Sequence, residues 1–295
     1  MMNYINHATK MTGRRLPVVR ALLMMRNLLA LSALFSLCTV SYASAASNVV
    51  TPSIKTTIEL PLQGVTLEYK ANVRLLQVLD DANASSNVSD NNSIGYFPLS
   101  AQLFDKTNTQ AIETKKHNVF NQLEALAVEE PEANLVHQQL ASFQYLNRVF
   151  IELDRNAVIS QSDKNPLLVS SSHANKPSAS QTQVFSLYLP QRPTSIQLMG
   201  VMKESVTMNL IEHGTLNDYL DALPNGFIGE SADKSLAYVV QPDGVVQTIQ
   251  YAYWNEQPVY LAPGAIVFMA FYSLPSEFST LNQDIVDLLR HKVGL

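Results

Sequence analysis

The sequence predicts an α+β fold in which helices cover mixed β-sheets. Segments rich in β-branched and apolar residues flank turn-forming residues; the clearest, 238–240 and 245–246, surround Gln241-Pro242-Asp243-Gly244. Other segments repeat apolar residues at helical spacing, notably within 107–147 and 281–293. Strand pairs and helices therefore share one chain.

The first 45 residues have the composition of a secretory signal peptide. They contain five basic residues and no acidic ones, then an apolar run at 28–40 and the small-residue sequence Ala43-Ser44-Ala45. We expect cleavage after Ala45, with Met24 or Met25 as alternative starts. The apolar run is shorter than the roughly 20 residues of a membrane span.

The remaining chain, 46–295, is acidic and lacks cysteine. Of the chain's 20 basic residues 15 remain, against 25 acidic ones, so its formal charge is −10. This charge disfavours nucleic acid and anionic membranes as partners. We predict an exported protein without disulfides and without a transmembrane segment in the mature chain, periplasmic in a Gram-negative bacterium.

The elements of the first half follow one another from residue 56 onward. Thr56–Leu60 and Val65–Tyr69 are predicted as strands around a Pro-Leu-Gln-Gly turn. The rest comprises a helical segment at 73–79, a loop at 83–93, helices at 107–128 and 132–147, a strand at 149–153 and a polar linker at 160–181. The break at Glu130-Pro131 makes the two helices an antiparallel hairpin.

The second half contains one short helix among strands. Strands are predicted at 184–189, 195–199, 238–240, 245–246 and 265–271, the last after the turn Ala262-Pro263-Gly264. Thr215 and Asp218 occupy capping-box positions of a helix at 215–223. A single helix on a mixed sheet is the β-grasp arrangement, and the first half has a similar order with the helical hairpin inserted.

We therefore divide the chain into four parts. They are a signal peptide (1–45), an N-terminal β-grasp-like domain with a helical hairpin at about 107–147 (46–182), a C-terminal β-grasp-like domain (183–275) and an amphipathic C-terminal helix (276–295).

Many short segments resemble the GfcC family of capsule biosynthesis proteins. They are 188–194, 198–202, 219–220, 232–234, 240–244, 253–255, 262–268 and 281–286, with 96–99, 147–154 and 165–168 upstream. The resemblance implies a periplasmic protein of capsule or exopolysaccharide export. It also implies two β-grasp domains similar to those of polysaccharide exporters, and no established enzymatic activity.

Two segments supply the candidate binding residues. Arg148, in the segment that resembles the family's arginine segment, could bind a carboxylate of an acidic polysaccharide or a partner, or it could form an ion pair with Glu152 or Asp154. Trp254 and Asn255 could stack on and hydrogen-bond to a sugar, or Trp254 could fill the core. Arg192, between two prolines, is either a polar contact or solvated.

No catalytic motif accompanies these residues. The histidines are scattered without metal-ligand spacing, and 46–295 lacks a cysteine nucleophile. We expect no cofactor, no metal and no enzymatic activity, and an accessory protein that binds polysaccharide or outer-membrane polysaccharide export proteins. The alternatives are a polysaccharide-modifying enzyme with Arg148 and Asp154 in its site, or a structural partner that docks through its helices.

Overall fold

The computed structural model of the protein describes residues 55–86, 95–172 and 182–294. Within these residues the chain forms two five-stranded mixed sheets and six α-helices, which confirms the α+β class. The predicted signal peptide and its cleavage site lie outside the described residues.

The first sheet has the order β2-β1-β5-β3-β4. Its strands are β1 Lys55–Leu60, β2 Val65–Tyr69, β3 Gln102–Asp105, β4 Asn147–Val149 and β5 Thr182–Tyr188. The last strand lies in the centre, parallel to β1 and antiparallel to β3. The outer strands β2 and β4 each pair antiparallel with one neighbour.

The second sheet repeats this connectivity in the order β7-β6-β10-β8-β9. Its strands are β6 Ser195–Gly200, β7 Val206–Asn209, β8 Ala232–Val240, β9 Val246–Gln250 and β10 Ile266–Phe271. The last strand is again central and parallel to the first. The predicted turn at 241–244 does join β8 to β9, and Gly244 has a φ of 88°, which favours glycine.

The strand β5 corrects the predicted boundary at 182/183. Residues 183–189 were predicted to belong to the C-terminal domain, but β5 belongs to the first sheet, where Val184 pairs with Thr57. Parallel pairing joins strands that are far apart in sequence, so no local turn signal reveals it. The first sheet therefore ends at Tyr188.

Two helices cover one face of the first sheet. They are α1 Leu75–Ser86 and α4 Arg155–Ser160, whose Leu79 and Val158 share a core with Leu103 and Phe185. Neither the helix at 155–160 nor the early end of β4 was predicted. The expected strand at 149–153 overlaps β4 only at Val149, which pairs with Leu103, and the pairing with β3 does not continue to Phe150.

The predicted helical hairpin is present as α2 Gln110–Leu126 and α3 Glu132–Ala141. It lies on the second sheet together with α6 Leu281–Leu289, and Leu123, Val136 and Ile285 share a core with Phe268. The opposite face of that sheet is covered by α5 Leu216–Leu220, through Tyr219. The predicted capping box of Thr215 and Asp218 is confirmed.

The apolar face of α6 is used inside the protein. Leu281, Ile285, Leu288 and Leu289 are all buried against the second sheet and the hairpin. Docking on a partner through this stripe would require α6 to leave its own core. Across the described ranges, no helix combines the length and the apolar character that crossing a membrane requires.

Candidate functional site

Arg148 lies in β4, opposite Phe104 of β3, and only 8% of it is exposed. Its guanidinium donates to the carbonyl oxygen of Pro242 at 2.6 Å. Longer contacts reach the carbonyl oxygens of Arg290 at 3.4 Å and Ala101 at 3.5 Å. Arg148 thus joins the first sheet to the β8–β9 turn and to the end of α6.

The Arg148 guanidinium is held by backbone carbonyls rather than by a carboxylate. Burial lowers the pKa of Arg148 to about 10, with a further lowering by Arg290 and an opposing effect of Asp243, so the group remains charged at neutral pH. Glu152 instead pairs with Lys164 at 3.1 Å, and Asp154 accepts a hydrogen bond from the backbone N–H of Asn156 at 2.9 Å. The ion pair considered from the sequence does not form with either residue.

An acidic cavity of about 560 Å³ opens beside Arg148. It is lined by Pro98, Leu99, Ala101, Asp243 and the segment 148–154. Its carboxylates are Glu152, Asp154 and Asp243. Its one guanidinium, that of Arg148, donates its hydrogen bonds to backbone carbonyl oxygens. This balance suits a neutral or cationic ligand better than a carboxylated polymer.

Phe150 packs in the contact between the first sheet and the second half of the protein, around Arg148, the β8–β9 turn and the end of α6, which we call the joint. The guanidinium of Arg290 lies 4.4 Å from the centre of its ring, and the His291 ring packs edge-on at 5.5 Å. A Cβ atom at Gly244 would collide with the Phe150 ring, so the β8–β9 turn approaches as closely as glycine allows. Phe150 was not predicted as a functional residue, because an aromatic residue after a strand carries no distinct signal.

Trp254 is exposed, which rules out the core-filling alternative. It is 76% exposed and Tyr253 is 97% exposed, whereas Tyr251 is buried and donates to the carbonyl of Asp233 at 2.6 Å. Both exposed rings belong to the connection between β9 and β10, residues 251–265, which we call the aromatic loop. Beside them, the buried side-chain oxygen of Asn255 has no hydrogen-bond partner among the described residues.

Arg192 is exposed at the mouth of a different cavity, of about 420 Å³. Its guanidinium lies 5.4 Å from the centre of the Phe97 ring. The same cavity is lined by Tyr260 of the aromatic loop, which is 71% exposed. Arg192 is thus solvated and also stacked on an aromatic ring.

The candidate residues therefore do not form a single site. Arg148 and Asp154 line the acidic cavity, Trp254 and Asn255 lie in the aromatic loop, and Arg192 borders the cavity that the far end of this loop lines. In the described part of the chain, no three His, Cys, Asp or Glu side chains cluster as metal ligands.

Asp154 has a structural role that the sequence could have revealed. It is the N-cap of α4, with extended backbone at φ −73° and ψ 112°. An aspartate directly before a short helix-compatible segment is a typical start signal. Its side chain is thereby engaged within the chain as well as bordering the cavity.

Comparison with known proteins identifies the family. The family model described as "Capsule biosynthesis GfcC, N-terminal" matches residues 54–173, and "Capsule biosynthesis GfcC C-terminal" matches residues 204–294. The uncharacterized protein YjbG of Escherichia coli (strain K12) is 26% identical over 162 residues, which cover 54% of this chain. The match spans 60% of that relative's length. With both halves matched, the chain belongs to the GfcC family of capsule biosynthesis proteins.

Proposed function

We propose that the protein is a periplasmic, non-enzymatic accessory protein of capsule or exopolysaccharide biosynthesis and export, and that it binds polysaccharide through the aromatic loop. Membership of a capsule biosynthesis family supports the process. The basic and apolar composition of residues 1–45 supports export. The shared strand order and the parallel central last strand support two β-grasp domains.

The exposure of Trp254 carries the binding proposal. An indole ring that is 76% exposed leaves a large apolar surface in water, and Tyr253 beside it is more exposed still. Large exposed aromatic surfaces on a folded protein commonly mark a binding site. The apolar C–H faces of sugar rings stack on such rings, while the tyrosine hydroxyl and nearby amides bond to sugar hydroxyls.

The arrangement of the carboxyl groups in the acidic cavity argues against catalysis there. Glu152 accepts hydrogen bonds from the backbone N–H of Asp154 at 3.0 Å and from Lys164, and its pKa is lowered mainly by that backbone bond. Asp154 is occupied as a helix cap. A carboxyl group that acts as general acid needs a raised pKa and a free approach to the substrate. A modifying enzyme built on Arg148 and Asp154 is therefore the weaker proposal.

The binding proposal is tested with polysaccharide from the strain that carries this gene. Protein from cells expressing the full chain is titrated against that polymer, alongside Trp254→Ala and the control Tyr272→Ala, which removes another aromatic that is 72% exposed but lies after β10. Loss of a central aromatic costs about 2 kcal/mol or more, which is roughly 30-fold in affinity. Equal affinities of the wild type and Trp254→Ala would refute binding through the aromatic loop.

The location and the partner are tested separately. Cell fractionation should place the protein in the periplasm, and its intact mass should correspond to a chain that begins at Ala46. If the polymer does not bind at all, co-purification with outer-membrane polysaccharide export proteins becomes the remaining form of the proposal.

A further inference from the structure

Lys292 is a buried lysine just beyond the end of α6. It is 6% exposed and is held in place by the backbone, because a β-bridge joins it to Tyr145 and the N–H of Val293 donates to the carbonyl of Gln144 at 2.9 Å. Lysine is among the residue types that are least often buried without a partner. Its position therefore requires an explanation.

Lys292 lines a cavity of about 390 Å³, which we call the lysine cavity. The cavity is lined by residues of strands β6, β7 and β10 and by the segment 142–144 that follows α3. Its volume is within the range of about 300–1,000 Å³ that is typical of small-molecule sites. Among the described residues that line it, Lys292 carries the only charged side chain.

The ammonium group of Lys292 has no counter-ion within the described ranges. The carbonyl oxygen of Gly294 lies 3.5 Å away, at the limit of a hydrogen bond, and the ring of Phe143 lies 5.0 Å away. Burial alone lowers the pKa of Lys292 to about 8, so the group is mostly charged at neutral pH. A buried charge that lacks a partner is destabilising, and an anion in the cavity would relieve this cost.

The other walls of the lysine cavity offer free polar groups and one aromatic ring. Gln144, Ser195, Gln197 and Thr207 line it, and their side chains make no hydrogen bonds to other described residues. Amides and hydroxyls of this kind bond to sugar hydroxyls as donors and as acceptors. Phe143 adds an apolar face on which a sugar ring can stack.

We propose that the lysine cavity binds a carboxylated sugar, such as a hexuronate unit, with its carboxylate on Lys292 and its ring hydroxyls on the surrounding amides and hydroxyls. One ammonium matches the single charge of a carboxylate, whereas a phosphate monoester would bring about two negative charges. The inference rests on the proposed function for the source of the sugar, a polysaccharide, but the site itself stands on its own geometry.

The test uses D-glucuronate as the probe, with D-glucose and acetate as comparisons. Binding to protein from cells expressing the full chain is measured by calorimetry or NMR for the wild type, Lys292→Met and the control Lys203→Met, which removes an exposed lysine. A second measurement needs no variant: acylation of Lys292 is followed by mass spectrometry with and without each probe.

We expect saturable glucuronate binding at least tenfold tighter than that of glucose or acetate, lost in Lys292→Met and kept in Lys203→Met. Glucuronate alone should slow the acylation of Lys292. Equal binding of glucose, equal binding of acetate, or unchanged binding in Lys292→Met would each overturn the assignment, as would acylation unaffected by glucuronate. If the polymer binds through Trp254 but glucuronate does not bind, only the lysine-cavity assignment is wrong. If glucuronate binds through Lys292 but the polymer does not bind through Trp254, only the proposed function is wrong.

Discussion

Replacing Gln139 by Met should loosen the helical hairpin from the second sheet. Gln139 lies in α3 and is 7% exposed. Its side-chain amide donates to the carbonyl oxygens of Gly200 at 3.0 Å and Met202 at 3.1 Å, and its oxygen accepts from the N–H of Gly200 at 2.9 Å. Methionine fills a similar volume but can form none of these three hydrogen bonds.

The expected loss follows from the groups left behind. A buried N–H that loses its acceptor costs about 1–3 kcal/mol, and each lost bond to a carbonyl contributes about 0.5–1.5 kcal/mol. The Gly200 carbonyl oxygen still accepts from the N–H of Met202 at 2.7 Å, which reduces the cost of losing the bonds to the two carbonyl oxygens. We expect a decrease in the free energy of unfolding of about 2–4 kcal/mol, or roughly 4–16 °C in Tm for a protein of this size.

Urea and thermal unfolding measure this loss against Gln138→Met. Gln138 precedes Gln139 in the same helix and is exposed, so its replacement should change stability by less than about 0.5 kcal/mol. Native-state hydrogen exchange should show faster exchange in α2 and α3 than in β1. If Gln139→Met is no less stable than Gln138→Met, the three hydrogen bonds do not hold the hairpin on the second sheet.

Three other changes test the joint and the second sheet. Gly200→Ala should lower the free energy of unfolding by about 3 kcal/mol or more, because Gly200 has a φ of 113° and an added Cβ would meet the backbone of Met269. The control Gly226→Ala, at a φ of 69° in open space, should lower it by only about 1–2 kcal/mol. Arg148→Lys should lower the free energy of unfolding by about 1–3 kcal/mol in urea, because an ammonium cannot reproduce the guanidinium contacts. Stability should fall as the pH drops from 6.5 toward 4, by at most about 3 kcal/mol, and His291→Gln should flatten this fall in pH-dependent unfolding.

The sign of the pH effect follows from the surroundings of His291. Burial, and then the positive charges of Lys115, Arg290 and Arg148, lower its pKa from 6.5 to about 4. The unfolded chain therefore takes up the proton first, and acid favours unfolding over this window. Because the His291 ring is partly exposed, solvent screening makes the loss of about 3 kcal/mol an upper limit. If stability depends on pH equally steeply in His291→Gln and the wild type, His291 is not the cause of the fall.

For Arg148→Lys the matched control is Arg192→Lys, which makes the same change at an exposed site.

Elements with a complete local signal were predictable from the sequence. The β8–β9 turn, the capping box at Thr215, the hairpin break at Pro131 and the C-terminal helix all depend on residues within a few positions of one another. Such signals act through short-range hydrogen bonds and backbone preferences, so they can be recognised in the sequence before the fold is known. The helix at 155–160 also has such a signal in Asp154, which was assigned to binding instead.

Features that depend on long-range contacts were not predictable. The strand β5 pairs with residues more than a hundred positions earlier, at Thr57 and Val184 for example, and only the closed sheet shows this. The exposure of Trp254 depends on the position of the aromatic loop in the folded protein, and an isolated Tyr-Trp pattern fits both core and surface. Likewise, the backbone partners of Arg148 come from Pro242 and Arg290, which no spacing connects to it.

The connectivity explains why the two sheets do not correspond to two consecutive domains. The hairpin α2–α3 precedes β5 in sequence yet covers the second sheet, whereas β5 then returns to the centre of the first. A chain cut at 182/183 would take the central strand from one sheet and the helical cover from the other, so neither piece would retain a complete core. The segment after α3 crosses between the halves, beside Lys292 at its start and Arg148 a few residues later. The acidic cavity borders the joint, because residues of the first half and Asp243 of the β8–β9 turn line it together. A ligand bound there would also stabilise the contact between the two halves.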